Sequence, residues 1–281
     1  MKRKKQFYII IIALLAAVGM LASACSQTYE KQPEPARDNP PEIQEDIVED
    51  SDDGSAGSAE AVGDDEHAPG PGDSAEGLGN RSVFFAHNSV GQNIIDGIGA
   101  LGAGIPILNE QQIGENGIAE VYLGYNGDPA GKMAAFKDSM ANGGSNARIA
   151  FFKFCYTDFD EGTDSDDLFD RYAGLMAELE GMYPDVTFVH VTAPLYDYNA
   201  SYHNNRQHTF NEKMRAKYGA YVFDLAAIES VDASGNQTLS RDGVTPALAD
   251  DWSSDGSHLN DAGGKRVAAE LISFLGSVAL G

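Results

Sequence analysis

Val83-Phe84-Phe85-Ala86-His87-Asn88-Ser89-Val90-Gly91 is the stretch that decides the architecture. Four successive apolar residues, 83–86, read as a strand covered on both faces. A polar turn follows at once, and then Ile94, Ile95, Ile98 and Leu101 recur on one helical face. The same alternation continues outward. Residues 105–108, 148–154, 186–191 and 220–223 are further short, largely apolar strand candidates. Between and after them, Leu168, Tyr172, Leu175, Leu179 and Met182 share one helical face. Val267, Leu271, Phe274, Leu275 and Val278 share another, behind Asn260 as a good N-cap. Strands alternating with helices predict an α/β domain, a mostly parallel sheet sandwiched between helical layers. In such sheets ligands gather at the carboxyl ends of the strands, so chemistry is expected in the loops that follow them.

Ser89 lies in the first such loop. A serine between a strand and a helix holds its hydroxyl at the sheet edge and its own N–H at a helix N-terminus, which suits a nucleophile whose attack creates an oxyanion. Ser89 with Gln92 three residues on reads equally well as a capping box. The loop before the last helix, Asp251-Trp252-Ser253-Ser254-Asp255-Gly256-Ser257-His258-Leu259-Asn260, supplies possible partners. Asp255 and His258 are spaced so that, in a turn, the carboxylate can reach the imidazole and fix its tautomer. As an isolated pair they could equally be solvated loop residues.

Taken together, these segments resemble the SGNH/GDSL hydrolase superfamily over residues 80–281. Residues 84–91 look like a variant of its serine block, with His87-Asn88 in place of Gly-Asp. Asp255-Gly256-Ser257-His258-Leu259-Asn260, followed by Ala262-Gly263-Gly264, is similar to its terminal Asp-x-x-His block. The resemblance implies a three-layer α/β/α sandwich with a five-stranded, mostly parallel, flavodoxin-like sheet. It also implies a catalytic triad of Ser89, His258 and Asp255, acting on small acyl esters without a cofactor. The Ser89 N–H, Gly127 and Asn126 are the expected oxyanion donors. The family's middle blocks are altered. Gly124-Tyr125-Asn126-Gly127-Asp128-Pro129 stands in the glycine block's region and is also readable as a plain turn, with Asp128-Pro129 suited to opening a helix. Cys155-Tyr156-Thr157-Asp158 replaces Gly-x-Asn-Asp, so Thr157 stands where an asparagine donor belongs. Either Asn126 takes over that task or the hole has fewer donors.

Other polar features carry less. The carboxylate-rich run 158–167 lacks the ligand order of a calcium loop and reads as a solvated loop with a helix cap. His203 and His208 lack a zinc motif, and His190 reads as a core histidine. Tyr196, Tyr198 and Tyr202 follow the fourth strand, where they could stack on a sugar ring or pack the loop. No metal site is expected.

The ends and the composition set the context. Lys2, Arg3, Lys4 and Lys5 precede an apolar run, residues 7–21, and then Ala22-Ser23-Ala24-Cys25. This layout of an exported precursor resembles a bacterial lipoprotein signal, with residues 1–24 removed and Cys25 carrying the lipid; an ordinary secretory signal or an uncleaved anchor is the alternative. Residues 25–79 are rich in Pro, Gly, Ser, Asp and Glu and read as an acidic, extended tether. Of the 2 Cys, an acylated Cys25 leaves Cys155 unpaired, in an apolar run where it reads as an inert core thiol. The net charge of −24 argues against nucleic acid as a partner; no partner protein is implied. The expectation is an exported, lipid-anchored esterase on the extracytoplasmic face of a bacterial membrane, acting on acetyl or similar small acyl esters, with carbohydrates as the implied carriers. An O-acyltransferase using the same triad, or a non-catalytic ligand-binding lipoprotein, are the competing readings.

Overall fold

The computed structural model describes residues 78–281. The expected signal, Cys25 and all but the end of the acidic tether lie outside the described residues. Among the described residues no helix is long and apolar enough to cross a membrane.

Strand β1 (Ser82–His87) is buried along its whole length and occupies the middle of a parallel sheet. It pairs on one side with β3 (Gly117–Tyr122), beyond which lies the two-residue edge strand β2 (Ile107–Leu108). On its other side runs β4 (Ile149–Phe152), then β5 (Thr187–Phe188). One residue past β5, β6 (His190–Val191) pairs in parallel with β7 (Val222–Phe223). Val189, between β5 and β6, still donates its N–H to Ala150 at 3.2 Å. Setting aside the edge strand β2, the principal strands therefore run β3-β1-β4-β5/β6-β7, the flavodoxin-like order, with the direction of winding reversing between β1 and β4.

Alternation along β1 assigns the two helical layers. Val83 and Phe85 join the core formed by α1 (Val90–Leu101) and α6 (Asp261–Ser277), against Ile94, Ile95, Ile98, Val267, Leu271 and Leu275. Phe84 and Ala86 face the opposite core, shared with α2 (Pro129–Ala141), α3 (Ser165–Met182) and α4 (Ser201–Tyr218). A short helix, α5 (Leu225–Glu229), follows β7. Each fully buried Phe or Ile contributes about 1.5–3 kcal/mol by leaving water, so two such faces on one sheet fix the strand register firmly.

The structure departs from the sequence reading in places. The strand expected at residues 105–108 shrinks to the edge pair β2, and the inner second strand is β3. Its sequence Gly117-Ile118-Ala119-Glu120-Val121-Tyr122 hides a strand because Glu120 breaks the apolar run. Helix α4 also lacked an apolar stripe. Its buried face is partly amide: Asn204 exchanges hydrogen bonds with the backbone of Tyr196, and Asn211 with that of Ala193, at 2.7–3.0 Å. The single strand expected at 186–191 is two pieces. The caps expected at Asn260, Asp128 and the 158–167 run are present: Asn260 accepts from Gly263, Asp128 from Gly131, and Asp164 from Asp166 and Asp167. His190 is a core residue, bonded through Nδ1 to Tyr172 at 2.8 Å, and Cys155 is a buried free thiol.

Helices α1 and α6 cross at two glycines. A Cβ on Gly97 would stand 2.3 Å from the Gly264 carbonyl oxygen, and one on Gly264 would stand 2.6 Å from that of Asn93. Backbone cannot yield as a side chain can. Gly97→Val should therefore force the helices apart and cost about 1–3 kcal/mol, the range for overpacked sites; urea unfolding measures this. An unchanged midpoint would show that the contact is not tight.

Candidate active site

In sheets of this order the ligand crevice belongs at the carboxyl ends of the strands beside the winding reversal, here β1 and β4, and Ser89 and Tyr156 each lie a few residues past one of them. Ser89 begins α1, yet its backbone has φ 46° and ψ −103°, making it the only non-glycine with positive φ among the described residues. Such a conformation costs on the order of 1–3 kcal/mol and persists where the surroundings impose it. His87 ends β1 two residues before it. Its ring is buried against Phe85 and Tyr122, and its Nε2 bonds Glu120 at 2.7 Å. Burial lowers the His87 pKa, against the opposing hydrogen bond from Glu120. The neutral ring therefore donates Nε2–H to the carboxylate. A Cβ on Gly91 would meet His87 Cβ at 2.4 Å and the ring at 2.5 Å, so glycine alone lets α1 start here. Asn88 donates through Nδ2 to the Leu123 carbonyl, tying the serine turn to the loop after β3.

Ser89 makes no side-chain cap hydrogen bond, so the capping-box reading fails. Its Oγ is shielded from solvent and makes no hydrogen bond among the described residues, although it lies near the Tyr156 phenol.

The loop before α6 pairs Asp255 with His258. Asp255 Oδ2 accepts from His258 Nδ1 at 2.7 Å, while Oδ1 accepts the backbone N–H groups of His258 and Ser257 at 2.7 and 2.8 Å. Burial pushes the Asp255 pKa up, but these hydrogen bonds and the imidazole outweigh it and hold the group well below the usual carboxylate range. The carboxylate is ionised and can only accept, so Nδ1 carries a proton, and in the neutral imidazole Nε2 holds the lone pair. Gly256, with φ 78°, lets this turn pass Asp197.

His258 Nε2 does not meet Ser89 directly. It lies 2.9 Å from the hydroxyl of Tyr156, whose ring packs edge-on against His258 and Tyr196. Tyr156 was not among the expected site residues. Tyr196 thus packs the site wall, whereas Tyr198 and Tyr202 are exposed.

The expected oxyanion donors separate. The Ser89 N–H lies at the α1 N-terminus. Gly127, by contrast, donates its N–H to Asp158 Oδ1 at 2.8 Å, so that amide faces a buried carboxylate instead of the crevice. Asp158 is fully buried and gathers two more donors on Oδ2: the Cys155 N–H at 2.7 Å and Lys132 Nζ at 2.6 Å. Lys132 in turn donates to Asn126 Oδ1 at 3.2 Å. That contact orients the exposed Asn126 amide and leaves Nδ2 as its donor. Thr157 Oγ1, at the position of the missing asparagine, is shielded and unpartnered among the described residues.

No family model and no curated protein matches the chain. Among solved structures it is similar to a GDSL-like lipase from Bacteroides thetaiotaomicron, with a TM-score of 0.49 and 14% identity over 70% of this chain and 87% of that one. It is also similar to a member of the lipolytic protein G-D-S-L family from Veillonella parvula, with a TM-score of 0.44 and 13% identity over 68% and 94%.

The Lys132–Asp158 pair makes the floor of the site sensitive to one charge. Asp158→Asn strands a buried ammonium, and a broken buried pair costs about 3–5 kcal/mol. Denaturant unfolding should show a loss of that size. A loss below about 1 kcal/mol, the range of exposed pairs, would mean that water reaches Lys132.

Proposed function

We propose that the chain is a GDSL-type serine esterase whose catalytic triad is Ser89, His258 and Asp255. The observation that carries this reading is the pairing of a serine held at positive φ on a helix N-terminus with an imidazole that is hydrogen-bonded through Nδ1 to an ionised carboxylate. A strained serine at a strand-to-helix turn is the geometry of a nucleophile elbow, and the sequence blocks around Ser89 and His258 support the same assignment.

In this reading Ser89 Oγ attacks the ester carbonyl carbon and its proton passes to His258 Nε2. The carbonyl oxygen becomes an oxyanion that accepts from the Ser89 N–H and Asn126 Nδ2. Collapse breaks the bond to the leaving alkoxide, which takes the proton back from His258. Water then hydrolyses the acyl-enzyme by the same route in reverse. Asp255 stabilises the imidazolium that forms each time. Without the Gly127 amide the hole has one donor fewer than the resemblance implied, and loss of one donor typically costs about 10²–10³ in rate. A slow enzyme follows.

The N-terminal signal layout supports an exported chain, lipid-anchored through Cys25, and export together with the family resemblance favours acetyl esters of carbohydrates as substrates. The non-catalytic reading draws its support from the two departures at the site, the Gly127 amide turned to Asp158 and the phenol that occupies His258 Nε2.

A fluorophosphonate probe separates the two. The wild-type protein should be labelled on Ser89 and the Ser89→Ala variant left unlabelled. Asp255→Asn should slow labelling by about 10⁴-fold, as expected when the imidazole loses its orienting carboxylate. A wild-type protein that resists the probe and releases no acetate from acetylated glycans is a binding protein.

A further inference from the structure

Within the serine-esterase reading, on which this inference rests, Tyr156 has no assigned task although it touches the reacting groups. Its hydroxyl lies 2.9 Å from His258 Nε2. Nδ1 donates its N–H to Asp255, so in the neutral imidazole Nε2 accepts and the phenol is the donor. Burial, ahead of the opposing influence of the Ser257 and Ser89 hydroxyls, raises the Tyr156 pKa, so the phenol keeps its proton at neutral pH. An O–H committed to Nε2 leaves the oxygen lone pairs for another donor, and the Ser89 hydroxyl, shielded and without a hydrogen bond among the described residues, lies near enough to influence the phenol's ionisation.

The surroundings hold the ring in place. Tyr156 is 8% exposed and is wedged edge-on between Tyr196, at 4.7 Å between centroids, and His258, at 5.3 Å. Its backbone belongs to the short turn Tyr156–Asp158, which Asp158 ties to Cys155, Gly127 and Lys132. The Tyr156 carbonyl also accepts from Gln207 Nε2 at 3.4 Å. A side chain that had to swing aside before each turnover would not be anchored on so many sides.

We propose that Tyr156 is a catalytic proton carrier between Ser89 and His258. As Ser89 Oγ forms its bond to the acyl carbon, its O–H bond breaks and the proton moves to the Tyr156 oxygen. The original phenolic proton moves in concert to His258 Nε2. Tyrosine ends neutral and the imidazole becomes imidazolium beside Asp255, so no charge rests on the phenol. Expulsion of the alcohol runs the protons back. The third sequence block, which departs most from the family pattern, thereby supplies a hydroxyl where the relay needs one.

The test uses p-nitrophenyl acetate hydrolysis and fluorophosphonate labelling by wild type, Tyr156→Phe, Tyr156→Ala and Ser89→Ala. Phenylalanine preserves the ring packing and removes only the hydroxyl. Tyr156→Phe should lower kcat by about 10²–10⁴, the usual worth of a positioned proton-transfer group, with KM and thermal midpoint unchanged, and should slow labelling in parallel. A Tyr156→Phe enzyme at wild-type kcat, or a Tyr156→Ala enzyme faster than wild type, overturns the relay and makes the phenol an obstruction while leaving Ser89 as nucleophile. Wild type that neither reacts with the probe nor hydrolyses the ester overturns the esterase reading itself, and the relay with it.

Discussion

The close crossing of α1 and α6 is the constraint on which the site depends. Ser89 opens α1, and the Asp255–His258 loop runs directly into α6, so the separation of those helices sets the separation of the two halves of the site. Only glycine at 97 and 264 allows the backbones to approach as they do. The large aliphatics flanking those glycines then close the layer against β1 and β4. Packing of this kind is rigid because interiors are filled to near crystal density. A displacement of one helix is therefore felt at its N-terminus, where the chemistry would occur.

A second, polar framework holds the other side of the crevice. Asp158 is its hub, taking the Cys155 and Gly127 amides and the Lys132 ammonium into one buried carboxylate. Burying such a pair gains little stability by itself. Its effect is positional: it pins the turn bearing Tyr156 and, through Lys132, orients Asn126. The same carboxylate removes the Gly127 amide from the crevice. One residue thus gives the site its shape and denies it a donor.

Much of this was legible in the residues. Continuous apolar runs and helical periodicity gave the layered α/β architecture, and the Asp255–His258 spacing gave the pair that the structure closes at 2.7 Å. What escaped did so for physical reasons. Strand β3 carries Glu120 because His87 requires a partner there, and that charge interrupts the apolar pattern. Helix α4 turns asparagines inward to bond irregular backbone after β6, which no hydrophobic count detects. Gly127 sits in a plausible loop, but the direction of one N–H depends on a carboxylate thirty-one positions later. Tyr156 lies within the altered block, yet only the fold shows its hydroxyl at His258. The unusual serine block had a readable clue, since a histidine followed four residues later by glycine is the pattern that the His87 ring against Gly91 requires.

A crystal structure of the domain, at a resolution that fixes side-chain oxygens, is the most direct test of the connected chain from Ser89 to Asp255. The account predicts Tyr156 Oη within hydrogen-bond distance of both Ser89 Oγ and His258 Nε2, with Ser89 at positive φ and Asp255 on Nδ1. A Ser89 side chain turned away from the phenol, with α1 and α6 further apart than their glycines require, would contradict it.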